Sequence, residues 1–397
     1  MTNGRSDEID RRDFMLASVG ALGAAATLMA GPAQAQDATT QRAASGAGAG
    51  GTVFTGDIID GKQVISALDI SDLEPGRHNF YFRGAQMPTG QHWYVSVSVA
   101  KGAAPGKRVG LISGVHGDEM SPMHTLQTVM NQLDPTAMSG SVVAVFDLSR
   151  PAVEAMSRRW HSSGRGIDLI DINRVFPGNE NGPEISTRHA GLVFNRLLKP
   201  NLDYGLDFHT AATGMDATAF HLARMDLPEV RAMAELFPID QIFDNFGENG
   251  LLANALIDAG IPALTPEIGR PRILDLAMIE LFVEGTMNVL KHHGIIAGPM
   301  GRTGADSNIF VADGMLPILA TRGGFVELLV EINDVVTEGQ KLAIQRNTFG
   351  EVVAEYTAPR AGEIGARRTD ATAEEGTPIV FIIFDSATPV GGDVIVE

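Results

Sequence analysis

Two residues in the stretch GVHGDEMSP (114–122), His116 and Glu119, stand three positions apart just after the apolar run KRVGLIS (107–113). An imidazole and a carboxylate at that spacing are donors for a divalent metal. They would equally suit a polar turn that closes a strand. With ten histidines in 397 residues the pair is weak evidence by itself. Its weight comes from the rest of the chain. LDFHT (206–210) sets His209 at the end of a second apolar run, and TPEIG (265–269) sets Glu267 near the end of a third. The chain has no cysteine, so any metal must be held by His, Asp and Glu. Hydrolytic zinc sites use three such ligands and keep one position for water. His116, Glu119 and His209 meet that need, and Glu267 is available as a base for the water proton. The stretch GIDLIDINRVFPG (166–178) adds Asp171, Asn173 and Arg174 in one short loop.

Elements must hold these side chains in place. WYVSVSVA (93–100) alternates like a strand, and KRVGLIS, SVVAVFDL (141–148), YGLDFHT (204–210) and IPALTPEIG (261–269) read as further strands. Helical spacing marks MHTLQTVMNQL (123–133), STRHAGLVFNRLLKP (186–200), GLLANALIDAG (250–260) and ILDLAMIELFVEGTMNVLKHHG (273–294). Strands alternating with helices imply an α/β domain with a mostly parallel or mixed sheet. Such sheets carry their sites at the carboxyl ends of strands, which is where His116, His209 and Glu267 stand. After Gly298-Pro299 the texture changes to short apolar runs with turn signals every few residues. This predicts a catalytic domain over 53–298 and an all-β domain over 299–397.

The motifs HGDE, DINRVFPG, DFHT and PEIG, in that order, resemble the succinylglutamate desuccinylase/aspartoacylase family over about 105–298. The resemblance implies a zinc-carboxypeptidase-like mixed sheet flanked by helices, followed by a barrel-sandwich-like β domain. It implies one zinc ion per chain, held by His116, Glu119 and His209. Asp171 would fix the tautomer of a ligand histidine. Asn173 and Arg174 would clamp a substrate carboxylate. Glu267 would activate water and then protonate the leaving amine. A further arginine would polarise the scissile carbonyl; Arg165 is the choice and Arg159 the alternative. His124, His161, His189 and His221 fall outside the motifs and read as structural or rim residues. One departure stands out. NALIDAGIPALTP (254–266), ahead of Glu267, has no Lys or Arg, where aspartoacylases place a basic residue for a second carboxylate. PRAGEIG (359–365) lacks the lysine a lipoyl-type domain would modify, so no attached cofactor is expected. The β domain would wall the cleft.

Composition sets outer limits. Hydrophobic residues make up 44% and charged ones 20%, as in soluble globular proteins. A formal charge of −18 argues against nucleic-acid binding. Arg11-Arg12, the apolar segment 14–30 and Ala33-Gln34-Ala35 predict a twin-arginine-type signal over 1–35. A small, polar linker follows over 36–52. No later stretch is long and apolar enough to span a bilayer, so a periplasmic or secreted protein is expected. The expected substrate is a small carboxylate-bearing amide, while the oligomeric state stays open. An exported metallocarboxypeptidase acting on peptides or peptidoglycan fragments is the alternative. An inactive binding protein is a third reading, disfavoured by the complete ligand set and Glu267.

Overall fold

Along the strand Ser139–Val145, Val142 and Ala144 enter one core while Val143 and Val145 enter another. A side-chain period of two produces that split. A strand apolar on both faces needs cover on both, and that requirement sets the layout. The computed structural model of the protein describes residues 51–162, 168–244, 249–307 and 309–385. The expected signal at 1–35, nearly all of the linker at 36–52, and Arg165 lie outside the described residues.

A mixed sheet of eleven strands forms the middle layer. Its first four strands in space are Val53–Ile59, Lys62–Ala67, Gly76–Gln86 and His92–Lys101. Then come Ser139–Val145, Ala104–Ile112, Tyr204–Asp207 and Ala263–Ile268, all mutually parallel. Ala219–Ala223, Gln241–Asp244 and Phe310–Ala312 complete it, the first of them antiparallel to Ala263–Ile268. Helices Met120–Gln132 and Leu276–His292 cover one face, with Leu126, Val129, Phe282 and Val289 fully buried. Pro122 lies in the first turn of the former, where its missing N–H costs nothing. Asp275 caps the latter through the Met278 N–H, and Gly294 follows its end at φ +68°. Helices Ile185–Val193 and Leu252–Asp258 cover the opposite face. None of the helices in the described residues is long and apolar enough to cross a membrane.

Two further sheets occupy the C-terminal part and share a core of Val336, Leu342, Ile364, Ile379 and Ile382. The two parts exchange strands. Met215–Ala217, from within the catalytic part, pairs with Gly362–Arg368. Phe310–Ala312, from beyond Gly298, pairs with Gln241–Asp244 in the large sheet. The change of texture at Gly298-Pro299 therefore precedes the last strand of the large sheet, and the two parts interlock instead of meeting at one boundary.

The face covered by Leu276–His292 also holds a histidine. His221, on Ala219–Ala223, is fully buried, with the rings of Phe237 and Phe282 centred 4.5 and 5.9 Å away. Neither ring nitrogen has a hydrogen-bond partner among the described residues. Burial pushes its pKa down to about 3, so it is neutral in the fold. The unfolded chain binds its proton near the ordinary value of about 6.5. Stability is therefore fully present above about 6.5 and falls as the pH drops toward 3, by about 1.4 kcal/mol per pH unit. His221→Leu removes two desolvated nitrogens. It is expected to add about 1–3 kcal/mol at neutral pH and to flatten the acid slope. Urea unfolding at pH 7 and pH 5 reads both effects. A variant that is no more stable and equally acid-sensitive would mean the ring is satisfied within the fold.

Candidate active site

Three neighbouring parallel strands deliver the central residues. His116 follows Ala104–Ile112, His209 follows Tyr204–Asp207, and Glu267 lies in Ala263–Ile268. In the register, Ile112 faces Asp207 and Leu206 faces Leu264, so the three carboxyl ends fall on one edge. His209 and Glu267 meet in a further parallel bridge beyond Tyr204–Asp207. The glycine between His116 and Asp118 is sterically required: a Cβ on Gly117 would lie 1.9 Å from the Ala152 carbonyl. Asp118 accepts from the Thr213 N–H and hydroxyl at 3.0 and 2.7 Å, tying the loop after His209 to the loop after His116.

His116, Glu119 and His209 converge in a buried cluster whose potential ligand atoms lie within 4.8 Å of one another. His116 Nδ1 is 2.7 Å from Glu119 Oε1, and His209 Nδ1 is 2.9 Å from Glu119 Oε2. The two Nδ1 atoms are 3.1 Å apart. Two imidazole lone pairs and a carboxylate, so close and walled from water, require positive charge at their centre, either a proton or a cation. This donor set fits a divalent metal ion. The outward nitrogens are backed by carboxylates. His116 Nε2 lies 3.0 Å from Asp171 Oδ1, and His209 Nε2 lies 3.1 Å from Asp207 Oδ2. The Asp171 hydrogen bond keeps His116 Nε2 protonated, and the charge of the Asp207 carboxylate favours the same tautomer at His209, so the Nδ1 lone pairs turn inward.

The electrostatics follow from these contacts. Burial would raise the Glu119 carboxyl, but His116 and His209 beside it hold it well below the usual range. The Asp171 carboxyl is likewise low despite burial, because of its His116 hydrogen bond and the nearby Arg158 and Arg174. Glu267 behaves oppositely: burial pushes it up to about 7 against the pull of His209. A carboxyl near neutrality is suited to taking and returning a proton.

The substrate-side residues depart from expectation in two places. Asn173 is buried, and its Oδ1 accepts from the Leu252 N–H at 2.8 Å while Nδ2 lies 3.4 Å from His209 Nε2. It anchors the start of Leu252–Asp258 beside the ligand histidine, so of the expected clamp pair Arg174 alone lines the cavity described below. Arg165 lies outside the described residues, and Arg159 is exposed and away from the cavity lining. Among the described residues, the arginine beside Glu119 is Arg158. Its guanidinium is 3.0 Å from Glu119 Oε1 and 3.7 Å from Asp171 Oδ2. Arg158 and Asp207 are the residues that sequence reasoning missed. Alternation from the buried Trp160 puts Arg158, and not Arg159, on the inward side. A lone aspartate in the apolar run before His209 was the signal for Asp207. His189, outside the motifs, is structural: buried, it accepts from the Ala85 N–H and donates to the Leu148 carbonyl.

A cavity of about 410 Å³ adjoins the cluster, within the ~300–1,000 Å³ of small-molecule sites. Glu267, Arg158 and Arg174 line it on the polar side. Its remaining wall comes from both parts of the molecule, including Phe220 and Phe243 from the large sheet and Met315, Phe381 and Ile383 from the C-terminal part.

Residues 105–293 match the family model of the succinylglutamate desuccinylase/aspartoacylase catalytic domain. This stretch belongs to that family's catalytic domain. Among curated relatives, the N-alpha-acetyl-L-2,4-diaminobutyric acid deacetylase of Halomonas elongata is 28% identical over 293 residues, spanning 68% of this chain and 80% of the relative. The product-bound structure of the ectoine utilization protein EutE from Ruegeria pomeroyi has a TM-score of 0.69 at 22% identity, covering 78% of this chain and 96% of that one. A succinylglutamate desuccinylase/aspartoacylase structure from Rhodobacter sphaeroides gives 0.68 at 23% identity, covering 80% and 97%. At these identities the structural likeness shows the fold. The desuccinylase/aspartoacylase domain contains His116, Glu119, His209 and Glu267, whereas Met315, Phe381 and Ile383 lie beyond it.

Proposed function

We propose that this protein is a zinc-dependent amidohydrolase that releases an amino acid from a small N-acyl amino acid. The observation that carries this reading is the convergence of two carboxylate-backed imidazoles and Glu119 beside Glu267, at the edge of a cavity. The family and the deacetylase relative support amide hydrolysis as the reaction. His116, Glu119 and His209 would hold the ion, and the absence of thiolates suits a catalytic zinc. Bound there, zinc supplies Lewis acidity, lowering the pKa of water and polarising a carbonyl.

The chain's own groups do the rest. Asp171 and Asp207 hold the Nε2 protons and so keep both imidazoles oriented. Glu267 takes the proton of the attacking water as its oxygen adds to the amide carbon. It delivers that proton to the nitrogen as the C–N bond breaks, giving a carboxylate and an amine. Arg158, beside Glu119, is positioned to stabilise negative charge developing on the carbonyl oxygen; Arg165 is the other candidate for that role. Arg174 binds the amino-acid carboxylate through its guanidinium fork. The twin-arginine-type N-terminus supports export, which makes the periplasm or the cell exterior the proposed site of action.

The test is a panel of N-acyl amino acids and dipeptides offered to the zinc-loaded protein. Turnover of dipeptides alone would favour the carboxypeptidase reading, and turnover of nothing would sink the proposal. Arg174→Ala should lower kcat/KM on an N-acyl amino acid by about 10–100-fold, the worth of a charge-assisted hydrogen bond. The methyl ester of that substrate should be affected far less. Equal losses on acid and ester would mean that Arg174 does not read the carboxylate.

A further inference from the structure

On the large sheet, Glu267 pairs across strands with Phe220, and Phe220 pairs in turn with Gln241. Direct partners share a face of a sheet, and strands lie about 4.8 Å apart. The cavity therefore runs about 10 Å sideways from the Glu267 strand, beyond the reach of an acetyl group. Its walls turn apolar along the way. Phe220 and Phe243 from the large sheet and Met315, Phe381 and Ile383 from the C-terminal part line it there. Among the described residues, the charged side chains of the lining are Arg158, Arg174 and Glu267, all on the polar side, and its other polar side chains, Thr210, Thr218 and Gln241, are uncharged. Ala366 faces the chamber, while its neighbour Arg367 turns away to Glu331 at 2.5 Å and Asp216 at 4.0 Å. A second carboxylate or an ammonium group entering here would lose its water and find no counter-charge among the described residues of the apolar wall.

We propose that this chamber takes an uncharged, apolar substituent of the substrate, with the bulk of a branched aliphatic side chain, a phenyl ring or a medium-length acyl chain. The proposal rests on the amidohydrolase reading and names its substrate class. The same chemistry can be presented from either side of the scissile amide, as an acyl chain or as an amino-acid side chain.

The experiment measures kcat/KM for zinc-loaded protein on N-acetyl-L-leucine, N-octanoylglycine, N-acetyl-L-aspartate and N-succinylglycine, and calorimetric binding of octanoate and of succinate. At least one apolar substrate should exceed its charged counterpart by about tenfold or more, as pocket contacts of a few carbons allow. Preference for N-acetyl-L-leucine assigns the chamber to the amino-acid side chain, and preference for N-octanoylglycine assigns it to the acyl group. Met315 is half-buried on Gly314–Leu319, an edge strand of its sheet. Met315→Arg should reduce the apolar-to-charged ratio at least about tenfold, and Ala366→Leu, which fills the chamber without adding charge, should reduce it as well. Turnover of N-acetyl-L-aspartate or N-succinylglycine at or above the apolar substrates overturns the inference and leaves the hydrolase reading standing. No turnover at all, with octanoate bound more tightly than succinate, does the reverse. Equal binding of octanoate and succinate without turnover overturns both.

Discussion

Glu267→Gln is expected to lower kcat by about 10²–10⁴-fold, the usual worth of a positioned acid–base group, with metal content unchanged. Glutamine keeps the shape of the side chain and its place in Ala263–Ile268 but cannot take a proton. The wild-type rate should also carry an acidic limb that the variant lacks. Glu267 acts as a base only when ionised, so activity rises with pH through its pKa. Burial sets that carboxyl at about 7, and a divalent cation among His116, Glu119 and His209 would draw it back toward the ordinary carboxylate range. The limb should therefore fall between about 4.5 and 7. Metal analysis and a pH–rate profile of both proteins decide the matter. A variant with intact metal and near wild-type turnover would mean that another group takes the proton.

The paired substitution His116→Ala and His209→Ala is expected to abolish stoichiometric metal binding. Only Glu119 of the three converging side chains would remain, and a single carboxylate does not retain a transition metal against dialysis. The single changes Asp207→Asn and Asp171→Asn should weaken the metal by about 10–100-fold each, as loss of a backing carboxylate generally does. Elemental analysis of folded protein, with circular dichroism to show that the fold is kept, is the readout. Full occupancy in the double variant would remove the site from this cluster.

Much of this centre was legible in the sequence because it follows strand grammar. Each apolar run ends near a polar residue, and parallel strands bring their carboxyl ends to one edge, so residues 116, 209 and 267 meet although far apart in the chain. The mixed sheet and its flanking helices were legible for the same reason, through alternation and helical spacing. What escaped depends on neighbours that no local pattern records. Asn173 and Arg174 are adjacent in the sequence, yet a single tight turn at Ile172–Arg174 sends one inward to His209 and the other to the cavity. Arg158 and Arg159 divide in the same way. Burial of His221 between two aromatic rings gave no sign in sequence beyond an apolar strand with one histidine. The exchange of strands was hidden because three-residue strands such as Met215–Ala217 are too short to carry a periodic signal.

That exchange bears on how substrate reaches the chamber. Asp313 alone separates Phe310–Ala312 in the large sheet from Gly314–Leu319 in the C-terminal one, and Met215–Ala217 forms a second tie in the opposite direction. Two straps of backbone hydrogen bonds thus cross the junction whose walls line the cavity. A clamshell motion of the two parts would have to break one of them. Entry and exit are then expected to proceed through the cavity's mouth with the frame unmoved. A rigid frame of this kind selects by shape and polarity at the moment of entry, so exchanging a single wall residue should alter which molecules are admitted without altering how the two parts move.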